Sequence, residues 1–262
     1  MRRYPRWVIG GVIILALGAV TLGQLTRGRG DDGALEHVQA TGELRVGLDA
    51  SFPPFESLDA NGNIVGFDPD LARAIAGKLG AEPVFVNIGF DGLYDALLAD
   101  RVDVIISGLP YDPRWTEDVA YTRNYFNAGQ ILVTLASESK INAVEDVAGH
   151  TVAVEWGSQA DMEARRLEQT LASVTLLRRS TADEAIEALY SGEADAAVVD
   201  AVSGTSAFPR GLKIVAYLTD EWYAAAVHIE SRELLEAVNQ SLVRLEESGE
   251  MAKMQARWLH GQ

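Results

Sequence analysis

Residues 42–71 read GELRVGLDASFPPFESLDANGNIVGFDPDL, and this stretch decides the fold. Leu44, Val46 and Leu48 alternate in the pattern of a buried strand. A loop carrying Asp49, Phe52 and Phe55 follows, and Asn61-Gly62 is a turn signal. A helix is expected to start at Phe67-Asp68-Pro69-Asp70, with Asp68 as cap, Pro69 in the first helical position and Asp70 favouring the dipole. Leu71, Ala72, Ile75, Ala76 and Leu79 then share one apolar face. Working outward, strands and helices continue to alternate, which argues for an α/β fold.

The chain has 262 residues, enough to bury one large core or two smaller ones. Its formal charge of −16 speaks against nucleic acid as a partner, because a phosphate-binding face needs a basic patch. The four histidines at 37, 150, 228 and 260 lack ligand spacing, and there is no cysteine, so neither a metal centre, a cofactor nor a disulfide framework is expected.

Arg2, Arg3 and Arg6 precede an apolar run over residues 7–22 that extends to Leu25. Residues 1–25 are read as a signal peptide or an N-terminal membrane anchor with its basic end in the cytoplasm. That places the rest of the chain outside the cytoplasm, in the periplasm or at the cell surface, tethered by residues 7–25 if the segment is retained. Residues 26–40, rich in glycine and charge, are expected to be a linker.

Two internal echoes organise the remainder. Residues 96–106, ALLADRVDVII, match residues 188–198, ALYSGEADAAV, in kind: helix end, tight turn, Asp103 or Asp195, buried strand. Residues 42–46 likewise sit beside residues 149–153. Two similar α/β units suggest two lobes. Within them, Thr181 and Glu184 have capping-box spacing, and Ser231 is expected to cap a helix carrying Leu234, Leu235, Val238, Leu242 and Leu245 that ends at Gly249.

In open α/β sheets ligands gather beyond the carboxyl ends of the strands. Here those ends are Asp49, Ser107-Gly108, Glu155-Trp156 and Asp200. They offer carboxylates, a hydroxyl, a glycine and an aromatic ring, which a cleft between lobes would bring together.

The opening stretch, together with ISGLPYDPRWTEDVAYT, VAVEWGS, AAVVD and GEMAKMQARWL, resembles the family 3 extracellular solute-binding proteins, the polar amino-acid receptors of bacterial ABC importers. The resemblance covers residues 42–259 and implies a two-lobed, type 2 periplasmic-binding-protein fold. Lobe one would comprise 41–126 and 224–262, lobe two 131–217, and the crossover strands 127–130 and 218–223. It further implies that Arg114 clamps a solute α-carboxylate, since a guanidinium is a planar, bidentate donor. Asp200 would accept the α-amino group, with helix capping as its competing role. Phe52 and Phe90 match ring-stacking positions. Gly157 and Ser158 would offer backbone amides beside Trp156, and Gln159 stands where relatives carry threonine. Phe85, Trp115, Tyr125 and Phe126 read as packing residues.

Pro110 departs from the family's hydroxyl residue and can donate neither O–H nor N–H. Gly108 stands where some relatives carry serine. Asp49 and Glu155 lie where a solute side chain would project, and two carboxylates favour a basic amino acid over a polar neutral one. The expected function is reversible capture by hinge closure, as a monomer. The permease and its ATPase would be separate chains, since no P-loop pattern occurs. Two alternatives stand beside it: a cyclohexadienyl dehydratase-like lyase using Glu155 as acid, and a ligand-sensing extracytoplasmic subunit.

Overall fold

The alternation over residues 43–48 is realised as strand β1 (Glu43–Leu48), the second strand of a five-stranded sheet, in a computed structural model that describes residues 31–207 and 210–259. The expected N-terminal segment, residues 1–25, lies outside the described residues. Helix α1 (Ala34–Thr41) precedes β1, so the last part of the expected linker is helical. Asp31 and Asp32 also tie down this end: Asp31 accepts the Glu233 N–H at 2.9 Å, and Asp32 accepts the hydroxyl of Ser231.

Between β1 and helix α2 (Phe67–Leu79) the chain forms a three-stranded antiparallel meander of β2 (Ser51–Phe52), β3 (Glu56–Leu58) and β4 (Ile64–Val65). Leu71, Ala72, Ile75, Ala76 and Leu79 of α2 are all buried, as their spacing predicts. The helix start differs from expectation. Gly66 is the residue before the first turn, and no side chain caps it. Asp68 is fully buried and points its carboxylate at another loop, described below.

β5 (Glu82–Asn87), β1 and β6 (Val104–Ile105) run parallel, so their carboxyl ends share one edge. β13 (Trp222–His228) and β7 (Val119–Asn127) complete the sheet antiparallel, in the order β5-β1-β6-β13-β7. Helix α3 (Leu93–Leu98) packs against it, as does α7 (Arg232–Glu247), while α8 (Glu250–Trp258) packs on α7 and α2, and α7 also contacts α2. Neighbouring residues Val104 and Ile105 of β6 enter different core clusters, so the sheet is covered on both faces.

The second sheet repeats the plan: β10 (Thr175–Arg179), β9 (Thr151–Glu155) and β11 (Ala196–Asp200) are parallel, and β8 (Gln130–Leu135) and β12 (Leu212–Tyr217) are antiparallel additions. Helices α4 (Gln159–Thr170), α5 (Ala182–Tyr190) and α6 (Ala201–Ser206) surround it. Ala153 of β9 faces one cluster while Val152 and Val154 face another.

The chain passes between the sheets twice, at residues 128–129 and 218–221, and the passages lie side by side. Ala128 N–H donates to Glu221 O at 2.8 Å, and the Gln130 N–H donates to Thr219 Oγ1 at 2.8 Å. Gly129 comes so close that a Cβ there would stand 2.0 Å from the Thr219 carbonyl oxygen. The fold is thus two α/β lobes on a double connection.

Two further caps depart from the sequence reading. Ser231 precedes α7 without capping it, because its hydroxyl is spent on Asp32. Thr181 accepts the Glu184 N–H at 3.2 Å as expected, but the Glu184 carboxylate reaches Ser180 N instead of closing the box on Thr181.

Candidate functional site

The carboxyl ends of the parallel strands supply every polar group of interest, and they form three groupings. Arg114, on the loop after β6, lines a cavity of about 450 Å³ with Phe90, Asp91, Tyr94, Pro110, Tyr111, Asp112, Pro113 and Trp115. The local sequence explains the shape. Asp112 accepts the Arg114 N–H at 2.9 Å, and Pro113 starts a short 3₁₀ turn with its preset φ. Trp115 then stacks on Tyr94 with ring centroids 4.4 Å apart, and the Tyr94 and Tyr121 hydroxyls are 2.7 Å apart. Arg114 itself is 84% exposed at its side chain and forks onto Asp112. That pairing holds Asp112 below the usual carboxylate range and raises Arg114 further. Burial followed by the Tyr121 hydrogen bond drives the Tyr94 phenol well up.

Asp200, Glu155, Ser158 and Gln159 line a smaller cavity of about 80 Å³ at the strand ends of the second sheet, together with Gln130. Asp200 caps α6: Oδ1 accepts the Ser203 N–H at 2.8 Å, and Oδ2 accepts the Ser203 hydroxyl at 2.7 Å. The capping role set against solute binding is therefore formed. Ser158 caps α4 by accepting the Asp161 N–H, its own N–H donates to Glu155 O at 3.4 Å, and the Gly157 N–H donates to Asp161 Oδ2. Both amides expected to reach a solute are engaged inside this turn. Glu155 lines the same cavity, and its carboxylate has no ion-pair partner among the described residues. Trp156 lines neither cavity and is 72% exposed.

The third grouping lies between β1, β3 and β6. Ser107 is buried; its hydroxyl donates to Glu56 Oε1 at 2.7 Å and accepts the Asp49 N–H at 3.0 Å. Asp49 in turn accepts the Phe90 N–H at 2.8 Å and the Ser51 hydroxyl at 2.7 Å. The Gly108 N–H donates to Asp68 Oδ2. Gly108 has φ +49°, and a Cβ there would stand 2.9 Å from the Phe52 ring, so glycine permits both the turn and the ring above it. Phe52 stacks on Phe55 at 5.5 Å and keeps one face toward solvent, while Phe90 is similarly exposed.

Of the residues expected at the site, Phe90 and Arg114 thus share one cavity, and Glu155, Ser158, Gln159 and Asp200 share another. Asp49, Phe52, Ser107 and Gly108 form the floor between β1 and β6. Arg114 and Asp200 line separate cavities, each at its own sheet. Sequence reading missed Tyr94, Tyr111 and Asp112 beside Arg114, and Glu56, Asp68 and Tyr125 under the floor. Glu56 carried a usable signal, an acid directly after Phe55 that does not belong to the turn which uses Asp59, the other acid between Phe55 and Phe67.

Comparison with known proteins places the chain in a family and agrees with the two-lobed fold. The profile of the bacterial extracellular solute-binding proteins, family 3, matches residues 44–261. The arginine-binding extracellular protein ArtP of Bacillus subtilis is 28% identical over 225 residues, covering 84% of this chain and 87% of ArtP. Among solved structures, an ancestral cationic amino acid solute-binding protein is 30% identical, with a TM-score of 0.65 over 86% of this chain and 99% of that one. The L-cystine solute receptor of Neisseria gonorrhoeae, unliganded and open, shares the fold with a TM-score of 0.75 at 21% identity, over 87% of this chain and 97% of that one.

Proposed function

The chain belongs to the bacterial extracellular solute-binding proteins, family 3, and from that premise we propose that it captures an L-amino acid with a cationic side chain between its two sheets and delivers it to an ABC permease. The observation that carries this reading is the placement of Arg114 and the Glu155–Asp200 pair at the strand ends of different sheets, each lining its own cavity. A zwitterion needs opposite charges at its two ends, and one guanidinium with one carboxylate supplies them. Capture then consists of docking on one half-site and rotation about the adjacent crossings, which unites both halves on the solute.

The cationic preference rests on charge balance. Asp91, Asp112, Glu155 and Asp200 line the two cavities against Arg114 as the one cation among their lining residues. Arg114 is already matched by Asp112, and Asp200 is assigned to the α-amino group. Asp91, beside Arg114, and Glu155, beside Asp200, are then the carboxylates left for a side-chain cation, and of the two Glu155 shares its cavity with the α-amino partner. The solute meets the protein outside the cytoplasm, and the permease lies on separate chains.

A lyase acting on prephenate needs a carboxylic acid kept protonated in the cleft. Among the described residues the acid most strongly held protonated is Glu56, which is spent on Ser107 and Asp68 behind the floor. Thermal-shift screening of the full chain against the proteinogenic amino acids, ornithine, citrulline and prephenate tests the proposal. A midpoint raised by L-arginine, L-lysine or L-ornithine and lost in Arg114→Ala supports it. A flat response to every amino acid, or a response to prephenate alone, defeats it.

A further inference from the structure

Glu56, the first residue of β3, is 1% exposed, and Asp68, in the first turn of α2, is 0% exposed. Ser107 and Gly108, neighbours in one loop, donate to Glu56 and Asp68 respectively, so the two carboxyl groups lie side by side and each feels the other. Glu56 Oε2 and Asp68 Oδ1 receive no donor among the described residues. The other two oxygens face outward through donors: Ser107 Oγ gives its proton to Glu56 Oε1, while the Gly108 N–H and the Tyr125 hydroxyl (3.0 Å) both donate to Asp68 Oδ2.

Two ionised carboxylates have no proton to place between them, and a buried like-charged pair without a cation is strongly disfavoured. The titratable groups facing the pair are Asp49 at the end of β1, Tyr125 on β7 and Tyr223 on β13, and none is cationic. Asp68 accepts two donors from outside the pair and Glu56 one, so the anion sits on Asp68 and the proton on Glu56. Burial, then the charge of Asp68, pushes Glu56 up to about 10; burial raises Asp68 less, to about 6.

We propose that Glu56 and Asp68 share one proton and act together as positioning residues for Ser107, Gly108 and Asp49, so that the solute-facing floor keeps its shape only while that proton is held. Glu56 Oε2–H donates to Asp68 Oδ1 and keeps the carboxyls side by side. Through Ser107 the pair fixes the Asp49 backbone, and Asp49 fixes Phe90. Loss of the proton leaves two adjacent anions, which part and draw Ser107 and Gly108 with them. The shared proton stands on the burial of the pair, its two oxygens without a donor and the outward donors on the other two. Its effect on solute rests on the reading of this edge as the solute site.

The test is an amide NMR titration of the full chain from about pH 6 to about pH 11, comparing wild type with Glu56→Gln and Asp68→Asn. In either variant a side-chain amide can replace the shared proton and keep the geometry; Glu56→Gln removes the alkaline titration, while Asp68→Asn leaves Glu56 titratable without the charge of Asp68, so its midpoint falls. The Gly108 and Asp49 amide resonances should move with one common alkaline midpoint in wild type, stay flat in the alkaline range in Glu56→Gln, and move at a lower midpoint in Asp68→Asn. Infrared spectra near neutral pH should show a protonated carboxylic acid in wild type that Glu56→Gln abolishes. Absence of that acid band, or equal titration in all three proteins, overturns the proposal. With L-arginine as probe, the dissociation constant of wild type relative to Glu56→Gln should rise about tenfold across the same midpoint. The ratio cancels the ionisation of the probe, and a constant ratio refutes the positioning role. If L-arginine binds none of the proteins, the solute reading fails, and the amide and infrared results still decide the shared proton.

Discussion

Asp112 grips Arg114 by the edge that a solute carboxylate would use. Arg114 Nε lies 3.0 Å from both Asp112 oxygens, and Nη2 lies 2.6 Å from Oδ2. A pair this exposed adds little to stability, because water screens it. Its consequence is competition: incoming solute must displace Asp112 or take the remaining Nη1 side. Arg114→Ala should weaken L-arginine binding about a hundredfold, and Arg114→Lys should not restore it, since an ammonium lacks the fork. Asp112→Asn should tighten binding by about threefold to tenfold by removing the competitor. Isothermal titration calorimetry reads all three, and a looser Asp112→Asn complex would contradict competition.

The two carboxylates of the second sheet should separate in their effects. Asp200 caps α6, so Asp200→Ala should cost about 1 kcal/mol of stability as well as affinity. Glu155 has no such structural partner among the described residues. Glu155→Gln should leave the urea midpoint unchanged and shift preference from L-arginine toward L-glutamine. A Glu155→Gln protein with unaltered selectivity would remove Glu155 from the side-chain subsite.

How much of this was legible in the chain depends on range of interaction. The α2 face and the strand-end positions follow from local periodicity and were readable within a residue or so. The echo between Asp103 and Asp195 proved to have a physical cause. Asp103 Oδ2 accepts the Arg45 N–H at 2.7 Å, and Asp195 Oδ2 accepts the Thr151 N–H at 2.9 Å, so each carboxylate binds the backbone of the neighbouring parallel strand. The structural match therefore sets Arg45 beside Thr151, one residue out of the register that the residue types suggested. Asp68 was misread for the opposite reason. Its sequence context offers a local cap, but a partner 40 positions away takes its carboxylate, and local pattern carries no trace of that. The Arg114–Asp112 fork likewise depends on rotamers that a turn motif leaves open.

The paired crossings admit no side chain at residue 129. A Cβ on Gly129 would sit 2.0 Å from Thr219 O and 3.0 Å from Asn127 Oδ1, the latter accepting the N–H groups of Gly129 and Glu221 from both crossings. Gly129→Ala must force these strands apart and should destabilise the protein by about 1–3 kcal/mol, the usual cost of overpacking. Its effect should extend to solute capture, since the rotation proposed between half-sites turns on the same crossings. A denaturation midpoint equal to that of wild type would show that the crossings yield without cost.

Glu56 should make the folded state lose stability in alkali. Its folded-state pKa, raised to about 10 first by burial and then by the charge of Asp68, lies far above the value of an exposed carboxyl. The native state therefore holds a proton that the unfolded chain has released once the pH exceeds the ordinary carboxyl range. The stabilisation is complete below that range and disappears as pH rises through the folded value, with a slope of up to about 1.4 kcal/mol per pH unit. Asp68, raised to about 6, adds a contribution of the same sign only at lower pH. Asp161 acts oppositely: Arg165, the main cause, holds it down, so its share of stability is lost in acid. Between about pH 7 and about pH 9 the Glu56 slope should therefore dominate, and the melting midpoint should fall by several degrees per pH unit. Glu56→Gln should flatten the curve in that window while leaving the acid limb in place. An unchanged slope in Glu56→Gln would assign the alkaline loss to other groups.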